Sequence, residues 1–182
     1  MTEFKLQFPE SELQSNADEW GQDSTETDAF QAGEAIRNGD RSIESLQKIL
    51  RWKSPRSVHY LSDSEEQIVI RRNALDLATN ANSDDEAKDA LSALMKLDGV
   101  ALPVASAILT VINPERYTII DFRALEALGH PRQDEEFYIA YLKCCRNLAD
   151  AMKPQQNLPA PTKLRALDRA LWQWSKKKDS KG

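Results

Sequence analysis

A glycine turn that opens an apolar helix, and an aspartate that follows that helix, are the residues of this sequence best suited to chemistry. The turn lies at residues 97–100, and the small residues 105–107 begin the helix after it. Free backbone N–H groups at such a helix start form an anion site that suits a phosphate. Asp121 is predicted to begin another helix, where its carboxylate can activate water or stabilise a developing cation. The structural alternatives are a tight connection between packed helices and a simple N-cap.

A basic stretch with one aromatic residue is a second candidate for contact with nucleic acid. Arg51, Trp52, Lys53 and Arg56 follow one another at the end of a predicted helix. Trp52 can stack on bases while the cations meet phosphates. The alternative is that Trp52 covers the core and the charges are solvated.

Three further side chains have both a functional and a structural interpretation. His59 and Tyr60 could line a base pocket, because flipped bases stack on aromatic rings. A lone histidine is, however, more often an ordinary surface or core residue. Arg123 could neutralise a phosphate or pair with Glu126. The lysine-rich tail over residues 176–182 suits a helix C-terminus and could add nonspecific DNA affinity.

Helical patterns position these residues, and no strand alternation of useful length appears. The chain has only 6 glycines, none of them between Gly39 and Gly99, which favours long helices over hairpins. The sequence therefore predicts an all-α fold. Its helices are expected at about residues 25–38, 41–52, 62–79, 83–98, 103–112, 122–128, 134–152 and 162–177.

Capping residues indicate where these helices begin, and apolar positions indicate which face each helix buries. Asp40 is predicted to be an N-cap, Ser62 and Ser83 are each followed three residues later by a glutamate, and Pro103 is predicted at the first position of its helix. The apolar members of the 62–79 helix are Ile68, Val69, Leu75 and Leu77.

Composition excludes several classes of protein. With 182 residues, 41% hydrophobic and 29% charged, the chain is an ordinary globular protein and is not disordered. Its longest apolar run, residues 99–112, is too short to span a bilayer, and the N-terminus shows no secretory signal. The adjacent Cys144 and Cys145 cannot frame a disulfide fold or a zinc site. We expect a reduced, cytoplasmic monomer without membrane contact, and the net charge of −5 argues against DNA binding through bulk charge.

The chain from about residue 91 to 129 resembles the helix-hairpin-helix DNA glycosylase superfamily, which includes the endonuclease III-like proteins. The residues that match the hairpin pattern are Leu97, Gly99, Val100, Ala105 and Leu109. Asp121, preceded by Ile119 and Ile120, matches the catalytic aspartate in order and spacing. The resemblance implies a two-lobed helical fold, with a hairpin at 97–104 and Asp121 opening onto a central cleft.

The resemblance also implies a partner and a division of the chain. The expected partner is double-stranded DNA. One lobe would cover about residues 40–130, and residues 1–39 with 131–182 would form the other, within a single unit of 1–182. The expected DNA-binding residues are Lys96, Gly99, Val100, Ala101, Val104, Trp52, Lys53, Arg56 and Arg123, with His59 and Tyr60 in a base pocket.

Three departures from the family pattern narrow the expected chemistry. Ala101 replaces the second hairpin glycine, which is expected to strain the turn or shift its amides. Pro103 stands where bifunctional members carry a Schiff-base lysine, so no β-lyase activity is expected. The four-cysteine loop is absent, so neither an iron–sulfur cluster nor another metal cofactor is expected, although the resemblance allows a monovalent cation at the hairpin.

Two functions of different classes follow. The first is a monofunctional DNA N-glycosylase that flips a modified or damaged base and hydrolyses its glycosidic bond with Asp121, in base excision repair or in defence against modified DNA. The second is a non-catalytic helix-hairpin-helix module that binds nucleic acid or a protein. The retained Asp121 favours the first function, whereas the acidic pI of about 5.2 and Ala101 favour the second.

Overall fold

The computed structural model describes residues 3–21, 23–130 and 134–182, and these residues form helices and no β-strand. The predicted all-α class is confirmed. Among the described residues, no helix has the length and apolar character that a bilayer crossing requires. The α-helices are α1 (Leu13–Asp18), α2 (Ser24–Arg37), α3 (Ile43–Lys53), α4 (Glu65–Asn80), α5 (Asp84–Leu94), α6 (Leu102–Ile112), α7 (Phe122–Ala127), α8 (Tyr138–Ala149) and α9 (Lys163–Asp179). Short 3₁₀ helices cover Glu10–Glu12, Pro55–Tyr60 and Glu135–Phe137.

The chain divides into two compact units at boundaries that differ from the predicted ones. One unit is residues 23–113, and the other joins residues 1–22 to 114–182. Helix α2 falls in the first because it packs on α3 and α6, and α7 falls in the second because it packs on α9. The predicted central cleft and the helix-hairpin-helix assignment remain predictions.

Helix α6 is the core of the 23–113 unit. Every residue from Val104 to Ile112 is buried, as expected for a helix that is apolar almost all round. Helices α2, α3, α4 and α5 pack on it. At Gly33, α2 packs directly on the backbone of α6, because an added Cβ would lie 2.0 Å from the Val111 carbonyl oxygen. Nearby, the Arg37 guanidinium donates to the Ile112 carbonyl at 3.0 Å.

The start of α3 differs from the prediction by two residues. Ser42, and not Asp40, is the N-cap, and its hydroxyl accepts from the Ser45 amide. Asp40 lies two residues before Ser42 and supports that cap. Its carboxylate accepts from the Ser42 amide at 2.8 Å and from the Ser45 hydroxyl. The Ser45 hydrogen bond is the main reason that the pKa of Asp40 is lowered.

The starts of α4 and α5 test the two predicted capping boxes. Helix α4 begins after Ser64, whose hydroxyl accepts from the Gln67 amide, so the start predicted from the sequence, at Ser62 or Asp63, is wrong. The second box is confirmed at α5. Ser83 accepts from the Glu86 amide at 3.2 Å, and the Glu86 carboxylate accepts in return from the Ser83 amide at 3.1 Å.

Helix α4 buries a different face from the one its apolar residues suggest. Val69 is 67% exposed and Leu77 is 39% exposed. The buried face instead holds Gln67, Arg71, Ala74, Leu75 and Ala78. Its polar members bind neighbouring loops: the Arg71 guanidinium donates to the Arg41 carbonyl and pairs with Asp63 at 2.8 Å.

Helix α9 is the core of the other unit. Residues 164–171 are all buried, and α1, α7 and α8 pack on this helix. Arg169 is fully buried and donates to the side chain of Gln155 and the carbonyl of Pro159, which fixes the loop before α9. The N-terminal segment lies along the end of α7, where the Lys5 amide donates to the Leu128 carbonyl at 2.9 Å.

Candidate nucleic-acid interface

The turn between α5 and α6 has the local geometry that the sequence predicts. The Val100 amide donates to the Leu97 carbonyl at 3.1 Å, which closes the turn. Gly99 has a φ of +81°, a conformation that other residues adopt only with strain. Helix α6 then starts at Leu102, with Pro103 at its second position and not its first.

The turn is held by two segments that lie far from it in sequence. From α4, the Gln67 side chain accepts a hydrogen bond from the Asp98 amide at 3.0 Å. On another side, a Cβ at Gly99 would lie 2.9 Å from the Ser57 carbonyl oxygen and 3.0 Å from the Tyr60 Cβ. The structure therefore brings the turn together with the Pro55–Tyr60 helix, which carries three predicted site residues. The contacts of Gln67 and Ser57 with the turn were not predicted from the sequence, where the only sign of them was a glutamine in the helical pattern of α4.

Four backbone amides at this turn are available to donate a hydrogen bond to a ligand. Within the described parts of the chain, the amides of Gly99, Ala101, Leu102 and Val104 donate no hydrogen bond. Pro103 has no N–H, and the Val100 amide is used inside the turn. Ala101 has a φ of −94°, which any residue adopts, so the expected strain at this position is absent. Such a group of free amides at a helix start can bind an anion.

The exposed side chains around the turn are of mixed charge and include an aromatic pair. Arg56 and Lys96 are exposed, and so is Asp98, which opposes an anion. The rings of His59 and Tyr60 lie 4.0 Å apart between centroids, and Tyr60 is 59% exposed. Both rings are therefore on the surface, where they can stack on a base but do not enclose one.

Trp52 and Lys53 are less accessible than this aromatic pair. The Trp52 ring packs against Phe30 of α2, with 5.7 Å between ring centroids, and the residue is half-buried. Lys53, the last residue of α3, is also half-buried. These contacts favour the structural alternative for Trp52.

Asp121 belongs to the unit formed by residues 1–22 and 114–182, and it is the N-cap of α7. Its Oδ1 accepts from the Ala124 amide at 3.0 Å, in the capping geometry that the sequence predicts. The residue is only 6% exposed. The structural role of this carboxylate is therefore established, and any chemical role must be performed by a nearly buried group.

Two tyrosines of α8 hold the segment that precedes Asp121. The Tyr138 hydroxyl donates to the Thr118 carbonyl at 3.2 Å, and the Tyr141 hydroxyl donates to the Ile119 carbonyl at 2.6 Å. Complete burial raises the pKa of Tyr141 well above its usual value, and nearby charges including that of Asp121 add to the shift. Sequence analysis missed both tyrosines, for which the only sign was their spacing of three along one helix.

Arg123 is engaged within its own unit. Its guanidinium pairs with Asp179 at 2.8 Å, donates to the Ser175 hydroxyl at 3.2 Å and lies 5.3 Å from the centre of the Trp172 ring. The direct partners of Glu126 are Ser175 and Lys178. The structural alternative for Arg123 is thus favoured, with a different acidic partner from the predicted one.

The turn with free amides belongs to the unit of residues 23–113, and the capping carboxylate belongs to the unit of residues 1–22 and 114–182. The chain matches no protein-family model, no curated protein and no solved structure.

Proposed function

We propose that this protein binds duplex DNA through the surface formed by residues 96–104 and the Pro55–Tyr60 helix, and that it hydrolyses the N-glycosidic bond of a modified or damaged base with Asp121. The observation that carries the proposal is the packing of Gly99 against Ser57 and Tyr60. This contact puts free backbone amides beside exposed cationic and aromatic side chains.

Each part of this surface suits a different part of a nucleic acid. The free amides of Gly99 and Ala101 suit a phosphate oxygen, as do the side chains of Arg56 and Lys96. The paired rings of His59 and Tyr60 suit an unstacked base. None of these contacts reads base sequence, so binding is expected to be sequence-independent.

The distribution of charge supports binding despite the net charge of −5. Between residues 45 and 62 the basic residues are Lys48, Arg51, Lys53 and Arg56, and there is no acidic residue in that range. The acidic residues of the same unit lie outside this range, in and around α2, at the start of α3, and in α4, α5 and the turns beside them. A local basic segment on an acidic body can bind DNA, with an affinity that falls as salt rises.

The chemistry assigned to Asp121 is the stabilisation of positive charge on the deoxyribose as the base leaves, or the activation of the attacking water. A carboxylate fixed by an N-cap hydrogen bond costs little reorganisation when the charge develops. Because Pro103 carries no amine, no Schiff base forms at that position and the strand stays intact.

The second candidate is a non-catalytic module that binds DNA through the same surface. The specific observation in its favour is that Asp121 is 6% exposed and already serves as a cap. A glycosylase requires that this carboxylate reach the sugar of a flipped nucleotide, whereas a binding module does not.

A panel of duplexes bearing different base lesions distinguishes the two candidates. For a glycosylase we expect base release from at least one duplex, scored as abasic sites after mild alkali, without a nick before alkali. Borohydride is expected to trap no covalent adduct, because Pro103 offers no amine. A trapped adduct would overturn the assignment as monofunctional. Measurable duplex binding with no release from any lesion would support the module.

Gly99→Ala is expected to weaken duplex binding about tenfold, equally for all sequences. The new Cβ meets the Ser57 carbonyl at 2.9 Å in a backbone with φ of +81°, so the turn and its amides must shift. Loss of one charge-assisted hydrogen bond to phosphate accounts for a tenfold effect. Binding is measured by fluorescence anisotropy on several duplexes at fixed salt.

Gly39→Ala is the matched control for this substitution. Gly39 also has a positive φ, of +110°, but no atom lies within 4 Å of its added Cβ. Both variants are expected to lose about 1–2 kcal/mol of stability through backbone strain. Only Gly99→Ala is expected to lose affinity, and equal affinities in the two folded variants would remove the turn from the DNA interface.

A further inference from the structure

A groove of about 650 Å³ lies in the 1–22/114–182 unit, on the side of α7 that faces α9 and the N-terminal segment. Its volume is in the range of small-molecule sites. The side chains that matter for binding are Gln7, Phe122, Glu126, His130, Trp174 and Lys178. Asp121 is not among its lining residues, so the groove is separate from the capping carboxylate.

Two aromatic rings line the groove, and each contacts a side chain outside it. Trp174 stacks on Phe8 with 5.0 Å between ring centroids and an interplanar angle of 14°. Phe122 is 60% exposed, although it is a large apolar residue at the first position of α7. The Arg123 guanidinium lies 5.0 Å from the centre of the Phe122 ring. An exposed aromatic ring is a stacking platform for a flat ligand.

An ion pair supplies the polar recognition. The Glu126 carboxylate accepts from the Lys178 ammonium at 2.9 Å and from the Ser175 hydroxyl at 2.6 Å. These contacts lower the pKa of Glu126, with the Ser175 hydrogen bond as the largest cause, so the carboxylate is ionised at neutral pH. Both side chains remain partly accessible, at 31% for Glu126 and 57% for Lys178. The groove thus offers a charged acceptor beside a charged donor.

A basic pocket adjoins the groove. This second cavity has a volume of about 240 Å³ and shares Trp174 and Lys178 with the groove. Its other lining residues include Lys177 and Lys181, together with Glu12. Lys177 is paired with Glu19 and Lys178 with Glu126, each at 2.9 Å, so Lys181 is the main cation for an anion bound there.

We infer that the groove binds a guanine nucleotide, with the base stacked on Phe122 and its phosphate in the basic pocket. The Watson–Crick edge of guanine presents two adjacent N–H donors, which a carboxylate can accept together, and an acceptor oxygen that an ammonium can meet. The Glu126–Lys178 pair matches this edge. At the same two positions adenine presents an acceptor nitrogen and a C–H group, so it offers the carboxylate no N–H donor, and its 6-amino group would face the ammonium. The ligand with this chemistry is either a free mononucleotide or a guanine nucleotide within a single strand.

The test is calorimetric titration of the full chain with guanosine monophosphate, adenosine monophosphate, guanosine, and short single strands with and without guanine. We expect guanosine monophosphate to bind at least tenfold more tightly than adenosine monophosphate, because both charge-assisted hydrogen bonds to the carboxylate are lost with adenine. Saturable binding of the mononucleotide identifies a free nucleotide as the source, and binding of the guanine-containing strand alone identifies nucleic acid.

Two variants localise the ligand. Phe122→Ala removes an exposed ring and is expected to weaken guanosine monophosphate binding at least tenfold with little effect on folding. Lys181→Ala is expected to weaken binding of guanosine monophosphate and not of guanosine. Tyr60→Ala, which removes a ring of equal exposure from the other unit, is the matched control and should leave guanine binding unchanged while it weakens duplex binding.

The inference is overturned if neither guanosine monophosphate nor the guanine-containing strand binds, if adenine and guanine bind equally, or if Phe122→Ala binds as wild type does. These outcomes are independent of the proposed function, whose failure appears in duplex binding and base release.

Discussion

Asp121→Asn is expected to lower the single-turnover rate of base release about a hundredfold or more, with duplex affinity unchanged or slightly higher. The substitution keeps the size of the side chain but removes the negative charge that stabilises the sugar cation. Loss of one such electrostatic partner commonly costs this much in rate. Affinity should not fall, because the substitution removes a negative charge from a protein that binds a polyanion. The measurement is base release under single turnover beside anisotropy with the same duplex.

The fold should tolerate this substitution. Asp121 caps α7 by accepting from the Ala124 amide, and asparagine caps helices about as well as aspartate. A change in rate therefore reports chemistry and not unfolding. Asp23→Asn is the matched control, since Asp23 is the N-cap of α2 and accepts from the Thr25 amide at 2.9 Å. If Asp121→Asn releases base as fast as wild type, Asp121 is only a cap.

Features governed by local rules could be predicted from the sequence. The glycine at 99 predicts a turn, and its φ of +81° is the conformation that glycine favours. Asp121 precedes an apolar segment and is an N-cap, and Ser83 with Glu86 forms the predicted capping box. In each case the interacting atoms lie within a few residues of one another, so the sequence contains the whole interaction.

Features that depend on distant partners could not be predicted. Helix α4 exposes Val69 and buries Gln67, because the Gln67 side chain binds the amide of Asp98, thirty-one residues away. Hydrophobicity alone favours the opposite face. The contact of Gly99 with Ser57 likewise depends on how α4, α5 and the Pro55–Tyr60 helix pack, which no local pattern contains.

The contact of α2 with α6 is another case. An added Cβ at Gly33 would meet Val111, near the C-terminal end of α6. Helix propensity alone disfavours a glycine inside a helix. Its presence is explained by the Val111 backbone against which it packs.

Gly33→Ala is therefore expected to destabilise the protein by about 3 kcal/mol or more. The added Cβ would lie 2.0 Å from the Val111 carbonyl oxygen and 2.3 Å from its carbonyl carbon. These are backbone atoms, so no side-chain rotation relieves the overlap and the two helices must separate. Overpacking in a core commonly costs 1–3 kcal/mol and more where the backbone must move. The higher helix propensity of alanine recovers only about 1 kcal/mol.

The measurement is thermal and urea unfolding of Gly33→Ala beside wild type and Gly21→Ala. For a chain of this length, a loss of 3 kcal/mol corresponds to a fall in Tm of about 6–12 °C. Gly21→Ala is the matched control because no atom lies within 4 Å of its added Cβ, and its Tm should stay close to that of wild type. Because α6 carries the amides of the DNA-binding surface at its first turn, separation of α2 from α6 is also expected to weaken duplex binding. A Gly33→Ala variant as stable as wild type would mean that α2 does not pack on Val111 as described.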